Sequence, residues 1–145
     1  MQETSKTIVS ESGAGKYTLD ILSGGHSLTA DEPVVLGGDN KGPDPYGLLV
    51  SALGSCTVMT IRMYADMKKI PLTNTFVTLS HQKKYVEDCE TCVDGKGKID
   101  IIERNIRFEG ELSDDEKNKL LKIADKCPVH RTLTTSVRIK TLLKD

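Results

Sequence analysis

The sequence predicts an α+β fold within a single domain, residues 1–145, and three observations carry that expectation. Short segments near the start and in the second half alternate apolar and polar residues, as half-buried strands do. Between them an uncharged, largely apolar stretch opens with Asp44-Pro45, a helix-start signature. Later, Ser113 and Glu116 form a capping box ahead of apolar residues at helical spacing.

Residues 6–10 (KTIVS) and 16–22 (KYTLDIL) read as the first two strands, with Tyr17, Leu19 and Ile21 on one face. The turn residues Ser12-Gly13-Ala14-Gly15 separate them, and Ser23-Gly24-Gly25 makes a hairpin turn into a third strand over residues 26–30. A loop over residues 31–43 carries Gly37-Gly38, Asp39-Asn40 and Gly42-Pro43, all turn chemistry. Asp44 is then the N-cap and Pro45 the first helical residue. The helix is expected to run to about Lys69, because Pro71 disfavours a helical Ile70. Residues 48–61 are apolar or small on nearly every face, so burial all round is expected. At 1.5 Å per residue the rod is about 37 Å long. One domain of this size has difficulty covering it, and a dimer covering it from both sides is the expected solution.

Residues 73–84 read as a strand with Val77 and Leu79 on one face, and residues 85–97 as a polar loop. Residues 98–109 form a long strand whose apolar register shifts between Ile101 and Ile102, which predicts a bulge there. The second helix starts at Ser113 with Leu120, Leu121, Ile123 and Ala124 facing inward. Cys127-Pro128 ends it, residues 128–133 begin a short third helix, and residues 136–142 close as a strand with Val137 and Ile139 inward.

Lys plus Arg total 20 and Asp plus Glu total 21, a net charge of -1 over 145 residues. Without a basic excess there is no phosphate-neutralising surface, which argues against a nucleic-acid partner. Four Tyr, two Phe and no Trp leave an aliphatic core and no platform for stacking bases. The uncharged run over residues 45–61 falls short of the roughly 20 apolar residues a membrane span needs. It also carries Ser51, Ser55, Thr57 and Thr60, so a buried helix and no membrane association are expected. The opening residues MQETSK lack the apolar segment of a secretory signal, so the cytoplasm is the expected location. Thiols there stay reduced, and cysteines more often serve metal or redox chemistry than structural disulfides.

The cysteines are Cys56, Cys89, Cys92 and Cys127. Cys56 lies in the apolar helix, where burial alone would raise its pKa and leave a small inert core residue. Cys127 precedes Pro128, where amides at a helix start favour a thiolate, and His130 and Arg131 lie within one turn. The plainer reading there is a helix-ending cysteine with no chemistry. Cys89-x-x-Cys92 sits among Glu87, Asp88, Glu90 and Asp94, which raise a thiol pKa. It is half of a zinc site at most, unless His81 and a fourth ligand join it. Exposed loop thiols without a role rank first there, metal second and a redox relay third.

The stretch GGDNKGPDPYGLLVSALGSC over residues 37–56 resembles the first cysteine motif of the OsmC/Ohr family, and ADKCPVH over residues 124–130 resembles its second. Met63-Tyr64-Ala65 and Pro71-Leu72 fit the OsmC-like, Pro-Tyr branch, and the resemblance extends over residues 26–142. It implies an OsmC-like fold in which β-sheets wrap long central helices of an intertwined homodimer, with active sites at the subunit interface. It also implies a thiol peroxidase acting on organic hydroperoxides or related oxidants. In that reading Cys56 is peroxidatic and Cys127 resolves it as a disulfide, an external dithiol restores the pair, and no cofactor or metal is needed.

The best-known peroxidase branch places an activating Arg on an N-terminal strand and a Glu after the helix-starting Pro. Here no Arg precedes Arg62, and Tyr46 and Gly47 follow Pro45. Arg62 falls on another side of the helix from Cys56 at about 100° per residue. Of Arg104, Arg107, Arg131 and Arg138, Arg131 is the candidate activator because it neighbours Cys127. The alternative function is a non-catalytic OsmC-like protein that binds a small molecule or a metal.

Overall fold

The computed structural model describes residues 6–85 and 97–144, and the chain forms two compact units, residues 1–49 and 50–145. In the first unit β1 (Thr7–Glu11), β2 (Leu19–Ser23) and β3 (His26–Ala30) form an antiparallel sheet in that order. Gly24 and Gly25 both take positive φ, 56° and 82°, as a tight hairpin matched to strand twist requires.

β2 begins at Leu19 rather than at Lys16 because Thr18 turns inward and its hydroxyl donates to Asp31 Oδ2 at 2.9 Å. Asp31 is itself buried. Its carboxylate also accepts the backbone N–H groups of Glu32 (2.8 Å), Asp39 (3.4 Å) and Lys41 (3.3 Å). Burial would push this carboxyl up, but the Thr18 hydroxyl and the three amides outweigh it and hold it below its ordinary value. One side chain thereby folds the loop that the turn residues announced. The loop contains an unexpected 3-10 turn, Val34–Leu36, and Gly38 packs against the Glu32 carbonyl where a Cβ would collide. The loop delivers the chain to Asp44, whose Oδ1 accepts from Gly47 N–H at 2.7 Å, the expected N-cap.

The helix α1 (Pro45–Met67) follows. Its end is a Schellman arrangement: Ile70 N–H donates to Ala65 O at 2.9 Å, Lys69 N–H to Asp66 O at 3.3 Å, and Lys69 sits at φ 55°. A side chain other than glycine is disfavoured in that left-handed position by about 1–2 kcal/mol. Lys69→Gly is therefore expected to raise stability by up to about 1 kcal/mol after the extra chain entropy of glycine is deducted, read as a higher urea midpoint at unchanged slope.

In the second unit β4 (Leu72–Tyr85) and β5 (Lys98–Gly110) pair antiparallel, and α2 (Asp114–Ala124) and α3 (Pro128–Thr134) follow. The capping box at Ser113 and Glu116 is present. The expected bulge at Ile101 and Ile102 is not: these residues pair continuously with Gln82 and His81, and the register shift lies between Leu72 and Asn74. Successive residues of a strand face opposite sides, and each Ile is half-buried on its own side. Val77 and Leu79 share a half-buried face as expected.

The core gathers Ile61 and Ala65 of α1, Leu72 of β4, and Leu120 and Ala124 of α2, with Ile106 and Phe108 of β5 packed against it. Gly54 lets α1 approach Leu79 closely. By length and composition α1 would suffice to cross a membrane, contrary to the expectation from its uncharged stretch alone. In the single chain one stripe of it is covered, formed by Leu53, Gly54, Thr57, Ile61 and Ala65. The all-round burial expected from the sequence is absent in the single chain, where Met59, Met63 and Met67 are exposed. Leu121, expected inside, is 51% exposed, because Leu120, Ile123 and Ala124 take the inward side of α2. The expected closing strand over residues 136–142 is also absent. A strand needs a partner for its backbone groups, none of the described strands pairs with this segment, and Ile139 is 87% exposed.

Candidate active site

Cys56 lies on α1, half-buried, one turn after the buried Leu53. Cys127 is fully buried in the corner between α2 and α3. Its backbone is extended (φ -61°, ψ 130°), as a residue before proline prefers, and its N–H donates to Ala124 O. Its Sγ caps α3 by accepting from His130 N–H at 3.4 Å, the capping role expected from the sequence.

The fold brings the two thiols close enough for each to shift the other's titration. Burial pushes the Cys56 thiol up, but the Cys127 thiol, the Val129 N–H and the Thr60 hydroxyl all donate to it and together hold it below the ordinary value. Cys127 moves the other way. Burial raises it first, and its position as donor to Cys56 raises it further, against the opposing His130 N–H. The Val129 amide at the start of α3 therefore lowers both thiols, and the net directions differ, with Cys56 down and Cys127 up. The local argument from sequence favoured Cys127, because it had no means of placing Val129 N–H beside a residue on another helix.

Arg131 is exposed on α3, and the lowered value of Cys56 draws nothing from it. The guanidinium that bonds residues flanking both thiols is that of Arg104 of β5, whose side chain is only 12% exposed. Its Nη1 donates to Thr57 Oγ1 at 2.9 Å and to Ala124 O at 3.3 Å. Its Nη2 donates to Asp125 Oδ1 at 3.0 Å and contacts His130 Nδ1 at 3.2 Å. Sequence reasoning passed over this residue. The available signal was its register: Arg104 stands in the inward row of β5 with Ile102, Ile106 and Phe108, where a cation needs a reason. Arg62, set aside on helical geometry, bonds Asp66 and the Leu72 carbonyl.

A cavity of about 340 Å³ opens beside this cluster, with Leu53, Ile102 and Leu133 as apolar walls and Asp100, Arg104, His130 and Thr134 as polar ones. Asp100 is paired with His81 at 2.8 Å and Lys83 at 3.2 Å, and these two partners hold its carboxyl below its ordinary value. His81, considered as a zinc ligand, thus faces a carboxylate. Cys89 and Cys92 lie outside the described residues. Among the described residues no three His, Cys, Asp or Glu side chains are grouped to hold a metal.

The model of the OsmC-like protein family matches residues 38–142. No curated protein matches the sequence. Among solved structures, an OsmC-like protein from Mycoplasma pneumoniae is similar with a TM-score of 0.69 and 20% identity, over 92% of this chain and 89% of that one. An organic hydroperoxide resistance protein OsmC from Legionella pneumophila gives 0.67 and 18%, over 92% and 91%. An organic hydroperoxide resistance protein from Elizabethkingia anophelis, with thiocyanate bound, gives 0.67 and 17%, over 92% and 90%.

Proposed function

The chain belongs to the OsmC-like protein family, and on that premise we propose that it is a thiol-dependent peroxidase that reduces organic hydroperoxides or related oxidants. What supports the reading is that the fold brings Cys56, whose thiol is lowered, near Cys127, whose thiol is raised. In the first step the Cys56 thiolate attacks the O–O bond. Sulfur is oxidised to the sulfenic acid, the O–O bond breaks, and the alkoxide takes a proton to leave as the alcohol. In the second step the Cys127 thiol condenses with the sulfenic acid, forming the S–S bond and releasing water. An external dithiol reduces the disulfide by exchange and returns both thiols. The cavity walled by Leu53, Ile102 and Leu133 suits the organic part of the oxidant. Arg131, exposed one turn after Cys127, is proposed as a cation met by the arriving oxidant or reductant.

The protein acts in the cytoplasm as a homodimer in this reading. Exposed Met59, Met63 and Met67 on α1, and the unpaired apolar residues Val137, Ile139 and Leu142, are surfaces that a second copy would cover. The test of the chemistry is stoichiometric titration of the reduced protein with an alkyl hydroperoxide, followed by peptide mass spectrometry. One disulfide per chain, joining Cys56 and Cys127, is the expected product. Both thiols still free after excess peroxide would refute the proposal.

A further inference from the structure

We propose that Arg104 is the positioning residue of the thiol pair: it ties the helix carrying Cys56 to the corner carrying Cys127 and so keeps the two sulfurs within reach of each other. The inference rests on the thiol-pair reading above. Its ground is where the four acceptors of this one side chain lie. Thr57 directly follows Cys56 and is fully buried, its hydroxyl both accepting from Arg104 and donating to Leu53 O at 2.7 Å. Ala124 O and Asp125 lie just before Cys127. His130 lies just after it and supplies the backbone N–H that caps the Cys127 sulfur. Arg104 therefore brackets Cys127 on both sides and grips the residue next to Cys56.

A guanidinium suits this task and an ammonium does not. Its planar fork reaches several acceptors at fixed angles, whereas a lysine offers a single flexible point charge. Because arginine only donates, His130 Nδ1 must accept, and the imidazole carries its proton on Nε2. The same contact thus sets the tautomer of a ring that lines the cavity. A largely enclosed cation is also a costly way to achieve stability alone, since an apolar residue packs as well or better in most cores. Its presence in the apolar row of β5 points to geometry as what it contributes.

The test uses the full chain in dithiothreitol redox buffers. It reads the Cys56–Cys127 disulfide equilibrium by mass spectrometry and the rate of Cys56 alkylation by iodoacetamide against pH. Arg104→Gln is expected to lower the disulfide equilibrium constant about tenfold or more, because misplacing two reacting groups by even about an ångström is this costly. It is also expected to move the alkylation profile to higher pH, and Arg104→Lys to restore neither quantity. Thr57→Val, which removes one tie at nearly constant volume, is expected to shift both in the same direction by less. A folded Arg104→Gln protein with the parent equilibrium and pH profile would overturn the inference. If that variant does not fold, parent values in Thr57→Val would overturn it instead. If the parent protein forms no Cys56–Cys127 disulfide in any buffer, the thiol-pair reading itself fails and takes this inference with it.

Discussion

Under the proposed function, replacing Cys56 by Ser is expected to reduce hydroperoxide consumption to the buffer background while leaving the circular dichroism spectrum unchanged. The side chain is half-buried on a helix, and a hydroxyl fits the space of the thiol, so the fold has little to lose. The chemistry loses its nucleophile, because a serine hydroxyl stays protonated where a thiol is deprotonated. The companion variant separates the roles. Cys127→Ser is expected to retain the first oxidation step but not to condense with the sulfenic acid, so that turnover stalls and excess peroxide drives Cys56 on to the sulfinic acid. Cys127 is one of the three donors that lower Cys56, after burial has raised it. Cys127→Ala therefore moves the iodoacetamide profile of Cys56 to higher pH, since a removed donor to the charged form makes that form less favourable. A profile that stays in place would mean the Val129 amide and Thr60 lower Cys56 without Cys127.

Leu120→Ala costs about 3 kcal/mol of stability, within the range of roughly 2–5 kcal/mol for truncating a core leucine. Leu120 is fully buried where α2 meets Ile61, Ala65 and Leu72, so the deletion leaves a void between two helices and the sheet. For a chain of this length the melting temperature falls by about 6–12 °C, at roughly 2–4 °C per kcal/mol. Urea unfolding with an unchanged slope measures the same loss independently. Leu121→Ala, one residue along but on the exposed side of α2, costs less than about 0.5 kcal/mol in an uncovered chain. A larger cost at Leu121 would show that another surface covers this face in solution.

Some of the site was legible because its signals are local. Ser113 with Glu116, Asp44 with Pro45, and Cys127 before Pro128 each act within one turn, and all three caps stand where the residues announced them. The two cysteine motifs named the thiols without showing how they meet. Arg104 was not legible: its partner Thr57 lies 47 residues away in the chain, and no local pattern connects them. Leu121 and the closing segment failed for the opposite reason. Their apolar pattern is genuine, but a pattern states what a residue would bury and does not supply the surface to bury it against.

By itself the sequence determined an α+β chain, its helix starts, its hairpin and the two thiols, since caps, turns and alternation are interactions between near neighbours. Only the tertiary structure decided which way each thiol is shifted, which cation bonds the residues flanking the two cysteines and which face of α1 is covered. Those outcomes depend on desolvation and on hydrogen bonds between separate elements, and both exist only once the chain has folded.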